Sequence, residues 1–264
     1  MKKNFFDYNH DTIKKSLKKC NIKKNDCVYV SGNLLNLGRC KIENFKKIPE
    51  LLFKVIVEII GKKGTIIVPA HTFYLANTNK TFDIKNSKSI SGSFSNFILK
   101  QKKVVRQDHP FSSSAAIGKK AKYICNDNTN HVYGPNSPFE RMIKLNTKFL
   151  SLGLPVNLNC SQVHHAELIM NVPYRYHKRF IQKIKKKDKI YKKEYYMFVI
   201  KEKYLDLKRN KNKVIFKNFN NREKIFKSKL GANFIYSYSI KKFFQRNKEL
   251  LKKDIFCWVG KKLN

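Results

Sequence analysis

No two of the six cysteines (Cys20, Cys27, Cys40, Cys125, Cys160 and Cys257) are spaced as C-x-x-C. Their scatter argues against a zinc-ribbon or disulfide framework and for reduced, mostly buried thiols. No apolar run approaches the ~20 residues that a membrane span needs. The best stretch, "LLFKVIVEII", carries Lys54 and Glu58. The opening "MKKNFFDYNHD" is basic but lacks the apolar core and small-residue cleavage site of a signal peptide, so a cytoplasmic location is expected. There is no internal repeat and no P-loop, because "SGNLLNLG" lacks the Gly-Lys-Ser/Thr ending.

Acidic residues are scarce beside basic ones: 18 Asp and Glu stand against 57 Lys and Arg, a formal charge of +39. Such a balance points to an anionic partner such as nucleic acid or a membrane surface. A compositional cause competes with it. The excess is nearly all lysine, spread along the chain among abundant Asn, Ile, Phe and Tyr, residues that share A/T-rich codons. Nucleic-acid binding is therefore not the expected role, although the dense block "IQKIKKKDKIYKKEYY" could attract phosphates.

What is present is a globular chain, 42% hydrophobic, with alternating strand-like and helix-like segments. "DCVYVS" (26–31), "GTIIVPA" (64–70) and "KFLSLG" (148–153) read as strands. "IPELLFKVIVEII" (48–60) puts its apolar residues on one helical stripe closed by Gly61. "SGSFSNFILKQ" (91–101) reads as a serine-capped helix. Downstream, "KEYYMFVIKEKYLDL" and "NKVIFKNF" look like strands of a hairpin turned by "KRNKN", and the stretch from "YSIKKFF" to "DIFCW" is helical. The expected fold is α/β: one layered α/β/α domain over 1–264, with a basic, antiparallel β excursion at 178–230.

The most polar cluster in an apolar setting is "CSQVHHAELIM" (160–170). With Ser161 as N-cap and Pro173 as the stop, His164 and Glu167 share a helix face, while His165 points elsewhere. A helix N-terminus favours neutral imidazole, and an adjacent carboxylate favours and orients imidazolium. That pairing suits a general base which holds a proton transiently. On spacing alone, a capped surface helix or a metal site completed by His71, His109 or a cysteine stays open, though no recognised ligand spacing is present. His71 and Thr72 follow a buried strand in "PAHTFY". "RQDHPFSSSAAIG" (106–118) offers His109 and three hydroxyls, and "SGNLLNLG" (31–38) follows a strand. Each could equally be a locally capped turn.

Taken in order, "SGNLLNLG", "GTIIVPAHTF", "SGSFSNFIL", "RQDHPFSSSAAIG", "YGPNSPFERM", "FLSLG", "VHHAE" and "KLGANFIYSYSIKKFF" resemble the aminoglycoside 3-N-acetyltransferase family over nearly the whole chain. The resemblance implies an acetyl-CoA-dependent N-acyltransferase that uses no metal. It makes His164 the base for a small-molecule amine acceptor and Glu167 its support. It makes Thr72 a candidate oxyanion donor, and Ser31, Gly32, Asn33, Leu34, His109 and Ser113 the lining of the CoA groove. A homodimer is compatible with it. The sequence departs from the family where His-Ser-Ser-Leu becomes Ser31-Gly32-Asn33-Leu34. An aspartate that commonly precedes the histidine is absent, with Asn157 and Asn159 nearby, and Pro135 follows "YG" in place of an acid. The expected acceptor is an amino group of an aminoglycoside or related amino sugar; the alternative, an amino sugar carried on a nucleotide diphosphate, suits the positive field better. A polyanion-binding protein on a retired scaffold and a zinc hydrolase are the readings from other classes.

Overall fold

Strand β1 (Cys27–Gly32) sits at the middle of a seven-stranded sheet, and its alternation explains the two layers around it. Val28 and Val30 face one core, while Tyr29 faces the other. The computed structural model describes residues 7–42, 44–126, 129–207 and 225–259. Beside β1 lie β2 (Thr65–His71) and β6 (Lys148–Leu152), both parallel to it. The sheet continues outward on the β2 side through β5 (Ser112–Gly118) and β4 (Val105–Arg106), which are antiparallel. On the β6 side it ends in β10 (Asn233–Ser239) and β9 (Phe226–Leu230).

Helices α1 (His10–Lys19), α2 (Ile48–Ile60) and α3 (Ser93–Leu99) cover one face. Helices α4 (Ala121–Cys125), α5 (Pro138–Lys144), α6 (Val163–Ile169) and α7 (Ile240–Lys253) cover the other. The α/β/α layering expected from the sequence is thus observed. The chain leaves β1 toward β2 on one side and returns to β6 on the other, so the C-terminal end of β1 is a topological switch point. Open α/β sheets place their ligands there.

Two local expectations are corrected. Ser93–Leu99 is capped by Gly92, with no side-chain cap. Helix α6 begins at Val163 after Gln162, so Ser161 is not its cap and His164 is its second residue.

The basic hairpin also differs from expectation. Strand β8 (Lys189–Ile200) pairs with the preceding β7 (Arg175–Lys186) through a two-residue turn at Lys187-Asp188, where Lys187 takes φ 56°. With β3 (Phe82–Asp83) they form a second, three-stranded sheet. The expected partner strand "NKVIFKNF" (212–219) and its turn "KRNKN" (208–212) lie outside the described residues. Phe180, Ile184 and Tyr195 turn inward onto Phe82, Leu75 and Phe111, which docks the small sheet on the large one.

Candidate active site

Helix α6 follows the loop that leaves β6, so its first turn stands at the switch-point end of the sheet. Val163 and Ala166 anchor it in the core. At i,i+3 spacing, His164 Nδ1 lies 2.5 Å from Glu167 Oε2. Glu167 is almost fully buried, while the His164 side chain keeps 16% of its exposure. Tyr174 donates its hydroxyl proton to Glu167 Oε1 at 3.0 Å, and Arg175 Nε stands 2.8 Å from Oε2 as an ion pair without hydrogen-bond alignment. Burial by itself raises the Glu167 pKa. The charge and hydrogen bond of His164, with Arg175 and Tyr174, outweigh it and hold the group at about 2. Glu167 is therefore a fixed carboxylate, and the one imidazole nitrogen it engages is Nδ1.

Tyr133 packs its ring edge against His164 at 5.8 Å. His165 turns inward instead, where its Nδ1 accepts the Gly134 N–H at 3.2 Å and burial lowers its pKa to about 4. It pins the 133–134 loop to α6, a structural role. Cys160 is buried, with its thiol on Asn157 O at 3.6 Å.

Ser31, Gly32, Asn33 and Leu34 line a narrow slot of about 270 Å³ with Ser91, Gly92, Ser93, Ser95 and Leu152. Gly32 takes φ 144°, and a Cβ there would meet Leu152 O at 2.1 Å, so only glycine fits this close strand approach. A Cβ at Gly92 would face Gly32 O across the slot at 4.0 Å. Ser31 Oγ bonds Asn159 Oδ1 at 3.2 Å, and Asn159 Nδ2 donates to Ser151 Oγ at 2.9 Å. Asn159 thereby ties the ends of β1 and β6 to the loop that leads into α6. The slot shares Leu34, Leu35 and Ser93 with a larger cleft of about 690 Å³ whose lining includes Arg39, Lys46, Lys100, Phe45 and Phe97. Neither space is lined by an acidic residue.

Thr72, His109 and Ser113 are placed differently from the expectation. All three are fully buried. Thr72 donates its hydroxyl to Pro110 O at 2.6 Å and its N–H to Phe111 O at 2.8 Å, so neither donor is offered to an oxyanion. His109 Nδ1 accepts the N–H groups of Phe111 and Ser112, both at 3.3 Å, and its Nε2 faces Tyr196 O at 3.4 Å. Burial pushes its pKa down to about 3. Ser113 donates to Ala70 O at 2.8 Å and accepts from Arg106 Nε at 3.2 Å. Arg106 also donates to Ala70 O at 2.8 Å and Ser87 O at 2.5 Å. These residues brace the seam between the two sheets; they do not line the slot. Tyr174, Arg175 and Tyr133 surround the His164–Glu167 pair and were not singled out by the sequence reading.

Among the described residues, no three His, Cys, Asp or Glu side chains gather as a metal site, and no helix is long and apolar enough to cross a membrane.

A sequence model of the aminoglycoside 3-N-acetyltransferase family matches residues 38–252. This chain belongs to that family. It is 31% identical over 83 residues to aminoglycoside N(3)-acetyltransferase III of Enterobacter cloacae, covering 31% of this chain and 29% of that enzyme. It is 24% identical over 152 residues to aminoglycoside N(3)-acetyltransferase VII of Streptomyces paromomycinus, covering 50% and 51%. The chain thus spans about half or less of these curated relatives. The fold match is broader: the structure of AAC-IIIb with CoASH superposes with a TM-score of 0.79 at 18% identity, covering 97% of this chain and 100% of that one.

Proposed function

We propose that this protein transfers an acetyl group from acetyl-CoA to an amino group of an amino sugar, with His164 as general base and Glu167 as its fixed support. The observation that carries this reading is the 2.5 Å contact between His164 Nδ1 and a buried, ionised carboxylate. With Nδ1–H donated to Glu167, the ring presents Nε2 as the proton acceptor. It takes a proton from the amine as nitrogen attacks the thioester carbonyl. When the tetrahedral intermediate collapses, the C–S bond breaks and His164 returns the proton to the departing thiolate. Glu167 stabilises the transient imidazolium and stays ionised throughout.

The residues around the switch point fit acetyl-CoA as co-substrate. The serine-lined slot between Gly32 and Gly92 suits a slender, uncharged pantetheine arm. The adjoining cleft has two phenylalanines for an adenine and three cations for phosphates.

Family membership points to an aminoglycoside as acceptor. A specific observation favours a second class, an amino sugar carried on a nucleotide diphosphate. The protein carries 57 Lys and Arg against 18 Asp and Glu, and near α6 Glu140 is paired with Lys144 at 3.1 Å and Glu167 is held by Arg175. That positive field attracts a nucleotide diphosphate and opposes a polycation. Thiol release from acetyl-CoA, measured against a panel of aminoglycosides and a panel of nucleotide-linked amino sugars, tests both. Turnover with either panel supports acetyl transfer, and the active panel names the acceptor. Absence of both CoA binding and thiol release, together with salt-sensitive nucleic-acid binding, would overturn it in favour of polyanion binding.

A further inference from the structure

One histidine at the switch point has no part in that mechanism. His71 ends β2, one strand from Ser31 on β1 and two strands from β6, whose exit loop leads to His164. Side chains alternate along a strand, so His71 lies on the same face as Ile67, as Ser31 does with Tyr29. Ile67 and Tyr29 pack in the core that holds Val163 and Ala166 of α6. His71 and α6 therefore flank β1 on one face of the sheet. Two strand spacings separate β2 from β6 by ~10 Å, room for a thioester and an amine between them.

His71 is partly exposed, its ring is stacked on Phe73 at 4.9 Å, and its Nδ1 lies 3.2 Å from Ser112 Oγ. Among the described residues the Ser112 hydroxyl makes no other side-chain bond; with that hydroxyl donating to Nδ1, the tautomer carries its ring hydrogen on Nε2. Burial, helped by the charge of Arg106, lowers the His71 pKa to about 4, so the ring is neutral at physiological pH. Its backbone N–H donates to Ser91 Oγ at 3.1 Å, which ties it to the wall of the slot. Thr72, the next residue, has both its donors committed.

We propose that His71 is a catalytic residue: its Nε2–H donates a hydrogen bond to the thioester carbonyl oxygen and stabilises the negative charge that develops there during acetyl transfer. Neutral imidazole can serve as such an electrophile without acting as a competing acid. The two histidines then divide the work, with His164 moving the proton and His71 holding the oxygen. The proposal rests on the acetyl-transfer reading.

The test uses acetyl-CoA labelled with ¹³C at the thioester carbonyl, bound without acceptor to wild type, His71→Ala and His71→Gln. The carbonyl stretch is read by difference infrared spectroscopy, and folding is checked by unfolding midpoint. Wild type is expected to shift the band to lower frequency. His71→Ala should return it to its solution position, and His71→Gln, whose amide nitrogen reaches near the place of Nε2, should keep part of the shift. With an acceptor present, kcat of His71→Ala should fall about 10²- to 10³-fold while KM for acetyl-CoA changes little. An unchanged band shift in folded His71→Ala would overturn the assignment and leave acetyl transfer standing. Failure of wild type to bind acetyl-CoA at all would overturn both.

Discussion

Among the described residues, one buried polar cluster lies at α6 and another at the seam between the sheets, and the sequence marks both as candidate sites. At α6, Glu167 gathers His164, Tyr174 and Arg175 and leaves the His164 side chain partly exposed. At the seam between the sheets, Thr72, His109, Ser113 and Arg106 are buried and bonded to one another or to backbone carbonyls and N–H groups. The difference lies in where the hydrogen bonds end. A cluster that closes on itself contributes stability, and one that ends on a partly exposed imidazole can act on a substrate.

Mutations should separate the two clusters. Glu167→Ala should cause the largest loss of stability, about 3–5 kcal/mol, because it strands Arg175 beside a buried tyrosine, and it should abolish turnover as well; chemical unfolding and thiol release read the two effects. His109→Ala removes a fully buried ring between Phe111 and Tyr195 and leaves two N–H groups unpaired. A loss of about 3 kcal/mol is expected, with kcat per folded molecule near that of wild type. Thr72→Val keeps the shape but loses the bond to Pro110 O; about 1 kcal/mol is expected in unfolding, again with kcat retained. A fall of kcat by a hundredfold in either seam variant would erase the distinction.

Acid should act on three buried or half-buried histidines, His109 in the seam and His71 and His165 beside the candidate site. His71, His109 and His165 have pKa values lowered to about 4, 3 and 4, against about 6.5 in the unfolded chain. Below pH 6.5 the unfolded state binds protons that the folded state refuses. Stability is therefore full above pH 6.5 and falls as pH drops toward 4. Near pH 5, unfolding should take up about three protons, measurable from the pH dependence of the unfolding free energy. Glu167 contributes the same sign in a lower window: its stabilisation is present above pH ~4.3 and is lost as pH falls through about 2.

Much of the fold was legible because α2 carries one apolar helical stripe and β1, β2 and β6 are short apolar runs of the kind found in strands buried on both faces. The hairpin partner was not. In "RYHKRFIQKIKK" Tyr176 and Ile181 point outward among the lysines while Arg175 and Gln182 are buried, so the sequence lacks the clean alternation that would mark this strand. The His164–Glu167 pair was legible from its spacing. For Thr72, His109 and Ser113 the sequence does not show which donors are already committed, because that depends on contacts made by distant residues: Tyr196 is 87 positions from His109. Arg175 was hidden for another reason, since nothing local separates it from the other 56 basic residues (57 Lys and Arg in all).

The most direct test of the account compares thiol release from acetyl-CoA by wild type and by His164→Ala, each corrected for its folded fraction, with an accepted amine. The expected result is a rate lower by about 10³-fold or more in the variant, with an unfolding midpoint within a few degrees of wild type. A folded His164→Ala that keeps its rate to within tenfold would contradict the assignment of His164 as the base.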